Sequence, residues 1–255
     1  MTKIYYFSGT GNTLWSARRL SNIIDDECTL VNIGSEAEKP ETLVEADAVV
    51  LVFPSYAFGL PLAVRRFARN AVFKTPYLAA FVTYGARPGG TLASLKRILK
   101  RKKTIGALYF GGIPAVENYI PIFGSPGEKT LRQRLAMQEE ATETAAGCVI
   151  ERRSNCINTF RPISAFIWLL FSIGTKIFYK WYRVNGDCKG CGICERMCPV
   201  SAISMRGSRP VFSSKCEHCQ GCINWCPKKA INFGRMHSGV ARYHHPEISL
   251  QDILK

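Results

Sequence analysis

Short apolar runs alternate with amphipathic stretches over the first 150 residues, the pattern of a doubly wound parallel sheet. The runs predict strands at residues 3–7, 29–33, 48–53, 78–83 and 105–110. Helices are expected between and after them, near residues 13–24, 62–70, 91–101 and 127–148. The last carries a start signal, Ser125-Pro126-Gly127-Glu128, with a capping serine and a proline in the first turn. A five-stranded α/β domain is therefore assigned to residues 1–150. The pattern changes in residues 151–183, whose centre is an apolar run of about eleven residues. Arg152, Arg153, Arg161, Lys176, Lys180 and Arg183 flank it. That run falls short of the roughly 20 apolar residues a membrane span needs. It is expected to form a helix that packs two domains together, with peripheral membrane contact through residues 160–181 as the alternative. Asn185-Gly186-Asp187 reads as the turn opening a small cysteine-rich domain, residues 184–236. Residues 237–255, with His244-His245 and Pro246, follow as a tail for which no role is legible.

Eight of the eleven cysteines lie between Cys188 and Cys226. Nothing at the start of the chain reads as a signal peptide, so a cytoplasmic, reducing setting is expected and crowded thiols there suggest metal ligands. Two runs match one another: Cys188-x2-Cys191-x2-Cys194-x3-Cys198-Pro199 and Cys216-x2-Cys219-x2-Cys222-x3-Cys226-Pro227. Zinc sites use two separated Cys-x2-Cys pairs, whereas three cysteines at this spacing followed by Cys-Pro is the pattern of the bacterial two-cluster ferredoxin. Its fourth cysteine serves the other cluster. This resemblance assigns Cys188, Cys191, Cys194 and Cys226 to one 4Fe-4S centre and Cys216, Cys219, Cys222 and Cys198 to the second. Cys28, Cys148 and Cys156 have no such context, and His218 is expected to face solvent in its loop.

The first strand ends in Ser8-Gly9-Thr10-Gly11-Asn12-Thr13, and a helix follows at once. The loop is neither G-x-G-x-x-G nor a Walker A sequence. It offers backbone N–H groups, hydroxyls and an amide without Lys or Arg, which suits a phosphomonoester held by hydrogen bonds and the helix dipole.

Tyr5-Tyr6-Phe7-Ser8-Gly9-Thr10-Gly11-Asn12-Thr13 resembles the FMN phosphate loop of flavodoxins. Pro54-Ser55-Tyr56-Ala57-Phe58-Gly59 and Thr83-Tyr84-Gly85-Ala86 fall where that family borders the isoalloxazine. By that resemblance Tyr56 or Tyr84 stacks on the ring, and Gly59 and Gly85 let backbone approach it. Taken whole, the chain resembles the flavodoxin-ferredoxin fusion proteins of anaerobic bacteria and archaea. The resemblance implies a flavodoxin-like doubly wound sheet followed by a small α+β two-cluster ferredoxin-like domain, with FMN and two 4Fe-4S clusters as cofactors. Flavodoxins keep acidic residues near the flavin, whereas Arg87 stands beside the third loop here, so reduced FMN is expected to form more readily.

Clusters pass single electrons and a flavin accepts one or two, so the combination implies an electron carrier working with a redox partner protein, either a ferredoxin-type donor or a reductase acceptor. The alternative is a flavin-dependent reductase of a small molecule fed by its own ferredoxin domain. The net charge of +15 is spread along the chain with no nucleic-acid recognition motif, so no nucleic-acid partner is expected. No Gly-x-Ser-x-Gly or His/Asp signature suggests a hydrolase.

Overall fold

The computed structural model describes residues 1–24, 27–158, 161–237 and 239–254; Phe160, the first residue of the 160–181 stretch considered for membrane contact, lies outside them. In the N-terminal domain β1 (Thr2–Tyr6) leads into α1 (Asn12–Ile23) and β2 (Cys28–Asn32). The short α2 (Ile33–Glu36) and β3 (Thr42–Glu45) precede β4 (Ala48–Pro54), α3 (Leu62–Asn70) and β5 (Ala71–Tyr84). Then come α4 (Thr91–Leu99), β6 (Ile105–Pro114), the single turn α5 (Ile120–Phe123) and the long α6 (Glu128–Ile150). The parallel order β2-β1-β4-β5-β6 is the flavodoxin-like order of doubly wound sheets.

One strand was not predicted. β3 pairs Glu45 with Lys74 on β5, and β4 pairs Val49 with Leu78, so both keep the same register. Together they form one strand interrupted at Ala46-Asp47, and the sheet remains five strands wide. This extension explains why β5 starts at Ala71 and not near residue 78: its first half has β3 to pair with.

Alternation along β4 supplies both faces of the sheet. Val49, Leu51 and Phe53 join one core with Phe67 and Leu95, while Val50 and Val52 join the other with Leu20 and Val149. The start signal for α6 is only half correct. The helix begins at Glu128 behind Gly127, and no side chain, Ser125 included, caps it.

After α6 the chain enters α7 (Pro162–Phe178), a 3-10 turn at Tyr179–Trp181, and β7 (Tyr182–Val184). The cysteine domain continues with α8 (Ile193–Arg196), β8 (Ile203–Arg206), β9 (Arg209–Phe212), α9 (Gly221–Asn224) and β10 (Ile231–Phe233), and the chain closes with α10 (Leu250–Ile253). β7 pairs with β10 and β8 with β9, both antiparallel. The duplication extends to the backbone. Left-handed residues recur at matched positions, Gly190 with His218, Gly192 with Gln220, and Ser201 with Lys229.

The two domains share a core. Phe7, Ile33 and Leu60 of the first pack in one apolar cluster with Cys198, Val200 and Ile223 of the second. Glu217, in the second cysteine run, accepts the Leu62 N–H at 2.8 Å and so caps α3, whose own preceding residue, Pro61, provides no side-chain bond. Residues 239–254 form a strap over this joint. Tyr243 donates to Asn12 Oδ1 at 2.6 Å, His245 N–H donates to the Thr10 carbonyl at 2.9 Å, and His245 stacks on Trp15.

Candidate cofactor cleft and cysteine centres

The loops that follow β1, β4, β5 and β6 leave the same edge of the sheet, where the strand order reverses between β1 and β4 and doubly wound folds place ligands. They enclose a cleft lined by Ser8, Gly9, Thr10, Asn12, Thr13, Pro54, Ser55, Tyr56, Thr83, Tyr84 and Gly85. The cleft widens into a cavity of about 420 Å³ that Phe58 also borders. At the narrow end the loop is internally tied: Gly11 N–H donates to Ser8 Oγ at 3.2 Å, and the Thr13 and Thr83 hydroxyls pair at 2.8 Å. Gly11 has φ of 97°, which a side chain would strain, and it packs beneath His245 and Ile248 outside the cleft lining.

Gly59 corrects an expectation. A Cβ there would overlap the indole of Trp168 on α7, so the glycine makes room for that helix and lies outside the cleft lining. The preceding turn is strained, with Ala57 and Phe58 at φ of 46° and 62°, closed by reciprocal Tyr56–Gly59 backbone bonds of 3.0 Å. Tyr56 and Tyr84 both border the cavity. At Gly85 a Cβ would meet the carboxylate of Glu117. Glu117 thus lines the same cavity as Arg87, so the site is not purely basic as Arg87 alone suggested.

Further lining residues had not been assigned to the flavin site from the sequence, Cys219 having been read only as a cluster ligand. Glu117, Asn118 and Tyr119 come from the connection after β6, whose length was its only signal; Asn118 donates to the Thr10 hydroxyl. His218, Cys219 and Gln220 enter from the second cysteine run. His218 is 3% exposed, contrary to the expected solvent-facing loop residue. Its ring sits between the hydroxyls of Tyr119 at 2.9 Å and Tyr182 at 3.0 Å, and burial lowers its pKa to about 4. Burial also raises Tyr119 to about 12. Gln220 donates through Nε2 to the His218 carbonyl at 3.2 Å, while its buried Oε1 finds no partner among the described residues. An orphaned acceptor in the cavity wall fits a ligand with an N–H to offer, as an isoalloxazine has.

The eight paired cysteines fall into two groups. Cys188, Cys191, Cys194 and Cys226 border one small cavity, Cys198, Cys216 and Cys219 border another, and Cys222 borders both. Each group draws its fourth thiol from the other run. Burial holds the Cys194 and Cys216 thiols up at about 11, a cost that binding of iron by the thiolates would offset. Backbone N–H groups reach several sulfurs, from Ala202 to Cys198 at 3.2 Å, Ala230 to Cys226 at 3.3 Å and His218 to Cys216 at 3.4 Å. Among the described residues no group of three or more His, Cys, Asp or Glu closes as on a single ion. The wider spread suits thiolates distributed around a cubane.

The second group adjoins the cleft. A Cβ on Gly9 would lie 2.7 Å from the Cys219 carbonyl oxygen and 3.3 Å from its Sγ, and Trp225 Nε1 donates to the Gly9 carbonyl at 3.1 Å. The first group is the outer one, with Cys191 exposed.

Comparisons with known proteins support the C-terminal assignment. The family model for a 4Fe-4S dicluster domain matches residues 187–230. A ferredoxin-like protein in the nif region of Sinorhizobium fredii (strain NBRC 101917 / NGR234) is 35% identical over 51 residues, 17% of this chain and 80% of that protein. Among solved structures, the Streptococcus pneumonia TIGR4 flavodoxin aligns with 56% of this chain and 98% of its own at 14% identity and a TM-score of 0.36. Two-electron reduced Megasphaera elsdenii flavodoxin aligns with 58% and 99% at 18% identity and a TM-score of 0.35.

Proposed function

The chain belongs, through its C-terminal domain, to the ferredoxin-like proteins with a 4Fe-4S dicluster domain, and from that premise we propose that it is an electron-transfer iron-sulfur flavoprotein. In this reading it carries two 4Fe-4S clusters and FMN and exchanges electrons with a partner protein. Clusters supply single-electron transfer and a flavin one- or two-electron exchange, so their union couples carriers of different electron number.

The single observation that carries the reading is the contact between Gly9 of the phosphate-type loop and Cys219 of the second cysteine run. Ser8, Thr10 and Thr13 would bind the FMN phosphate at the start of α1. Tyr56 and Tyr84 would flank the ring, and Gln220 Oε1 would accept from it. Cys198, Cys216, Cys219 and Cys222 would hold the cluster beside the cleft. Cys188, Cys191, Cys194 and Cys226 would hold the outer one, whose exposed Cys191 suits exchange with a partner. Met197, Val200 and Ile203, all buried, border the inner group and would keep water from it.

The cavity of about 420 Å³ favours a second reading, a reductase acting on a small molecule over the flavin, roofed by Tyr119, Ile122 and Phe123. Anaerobic quantification of iron, sulfide and flavin tests the main proposal. About eight iron and eight sulfide atoms per FMN are expected, bleaching together on reduction. Iron without flavin, even after FMN is added, would defeat both readings.

A further inference from the structure

Helix α7 is amphipathic in the wrong sense for a helix bathed in water. Its inner stripe is Ser164, Trp168, Phe171, Thr175 and Phe178, and this side is fixed to the body: Trp168 Nε1 donates to the Leu60 carbonyl at 2.8 Å and Arg65 lies over the indole at 4.6 Å. The outer side is more apolar than the inner. Ile163 is 76% exposed, Phe166 61% and Ile173 56%, with Leu169, Leu170 and Ile177 beside them and Lys176 the only charge of the helix. Trp181 continues the row, and Ile122 and Phe123, 70% and 66% exposed, border the same cavity as Phe171 and Phe178. Surfaces of this kind mark an interaction site.

The charges around the patch select the partner. No Asp or Glu occurs between residues 152 and 186, while Lys176, Lys180 and Arg183 are exposed at the C-terminal end of the helix. The eleven-residue apolar run read from the sequence was expected to be too short for a span, but the helical segment 162–181 that contains it is long and apolar enough to cross a membrane by length and composition. Its attachment through Trp168 and Thr175 argues instead for lying along a surface. We infer that α7, with Ile122 and Phe123, docks the protein onto the interfacial region of an anionic lipid bilayer, its apolar side among the acyl chains and its lysines at the headgroups. This docking does not depend on the cofactors. It brings the cavity that Ile122, Phe123, Phe171 and Phe178 border close to the membrane.

The test is flotation of the purified full chain with vesicles of phosphatidylcholine containing phosphatidylglycerol, and with phosphatidylcholine alone. Binding to the anionic vesicles is expected, with a blue shift of tryptophan emission. Phe166→Glu with Leu170→Glu should lower the bound fraction by about tenfold or more, and Lys176→Glu with Lys180→Glu should weaken binding to the anionic vesicles only. Circular dichroism confirms that each variant is folded; all four positions are exposed. Failure of the wild type to float, or flotation unaffected by either pair, overturns the proposal. So does a dimer in sedimentation that Phe166→Glu dissolves without any vesicle binding, since the face would then belong to a second copy. Loss of flotation with iron and flavin intact separates this inference from the electron-transfer reading.

Discussion

Gly9 and Cys219 meet so closely that the space for a Cβ on Gly9 is already taken by the Cys219 carbonyl. The loop fitted to a phosphate and the loop fitted to a cluster are thereby one structural joint, and Gly221 backs it by approaching the Gly9 carbonyl. Gly9→Ala should force the two loops apart. An overpacking cost of about 1–3 kcal/mol is expected, measured as a lowered unfolding temperature, together with weaker flavin binding.

The crossed grouping of thiols has its own consequence. Cys226 belongs by sequence to the second run but lies with Cys188, Cys191 and Cys194. Cys226→Ser should therefore damage the outer centre and spare the one beside the cleft. Iron content should fall toward about four per chain, with flavin binding kept. Cys219→Ser should instead disturb both the inner centre and the flavin, as read by iron assay and flavin fluorescence.

The strap makes stability depend on pH. Burial lowers the His245 pKa from 6.5 to about 4, so the ring is neutral in the fold. A base whose folded value is depressed contributes fully above its unfolded value and loses that contribution as pH falls from about 6.5 toward about 4. The effect is of the order of 3 kcal/mol. His245→Phe keeps an aromatic face for Trp15 and removes the titration, so thermal unfolding across this window should become flatter.

Gln220 provides a test of the cleft that leaves the thiols untouched. The residue has φ of 61°, a conformation asparagine also tolerates, and Gln220→Asn withdraws the carboxamide by one methylene. Flavin affinity should fall by about tenfold, the value of one hydrogen bond, with iron content unchanged.

The sheet was legible because it rests on local sequence, and the crossed cysteine grouping because the two runs resemble those of the bacterial two-cluster ferredoxin. The alternation Val49 to Phe53 dictates a strand buried on both sides, and the spacing Cys188 to Cys198 dictates a loop around a cluster. Other features arise only when distant segments meet. Gly59 resembled a backbone that yields to a ligand, yet its neighbour is Trp168, more than a hundred residues on. His218 looked like a loop residue and is buried because Tyr119 and Tyr182 close on it from two domains. Tyr243 and His245 carry no motif, and their role follows from contact with Asn12 and Thr10 at the far end of the chain. The inverted α7 shows up in exposure, since its sequence is equally that of a buried helix.

The central claim is that cleft and clusters form one intramolecular electron path. Flash photoreduction of the anaerobic holoprotein at limiting electron dose, followed at the flavin and cluster absorption bands over a range of protein concentrations, tests it most directly. Redistribution between the two bands at a rate independent of concentration is expected. A rate that scales with concentration would mean that electrons travel between molecules, and would contradict the path through Gly9 and Cys219.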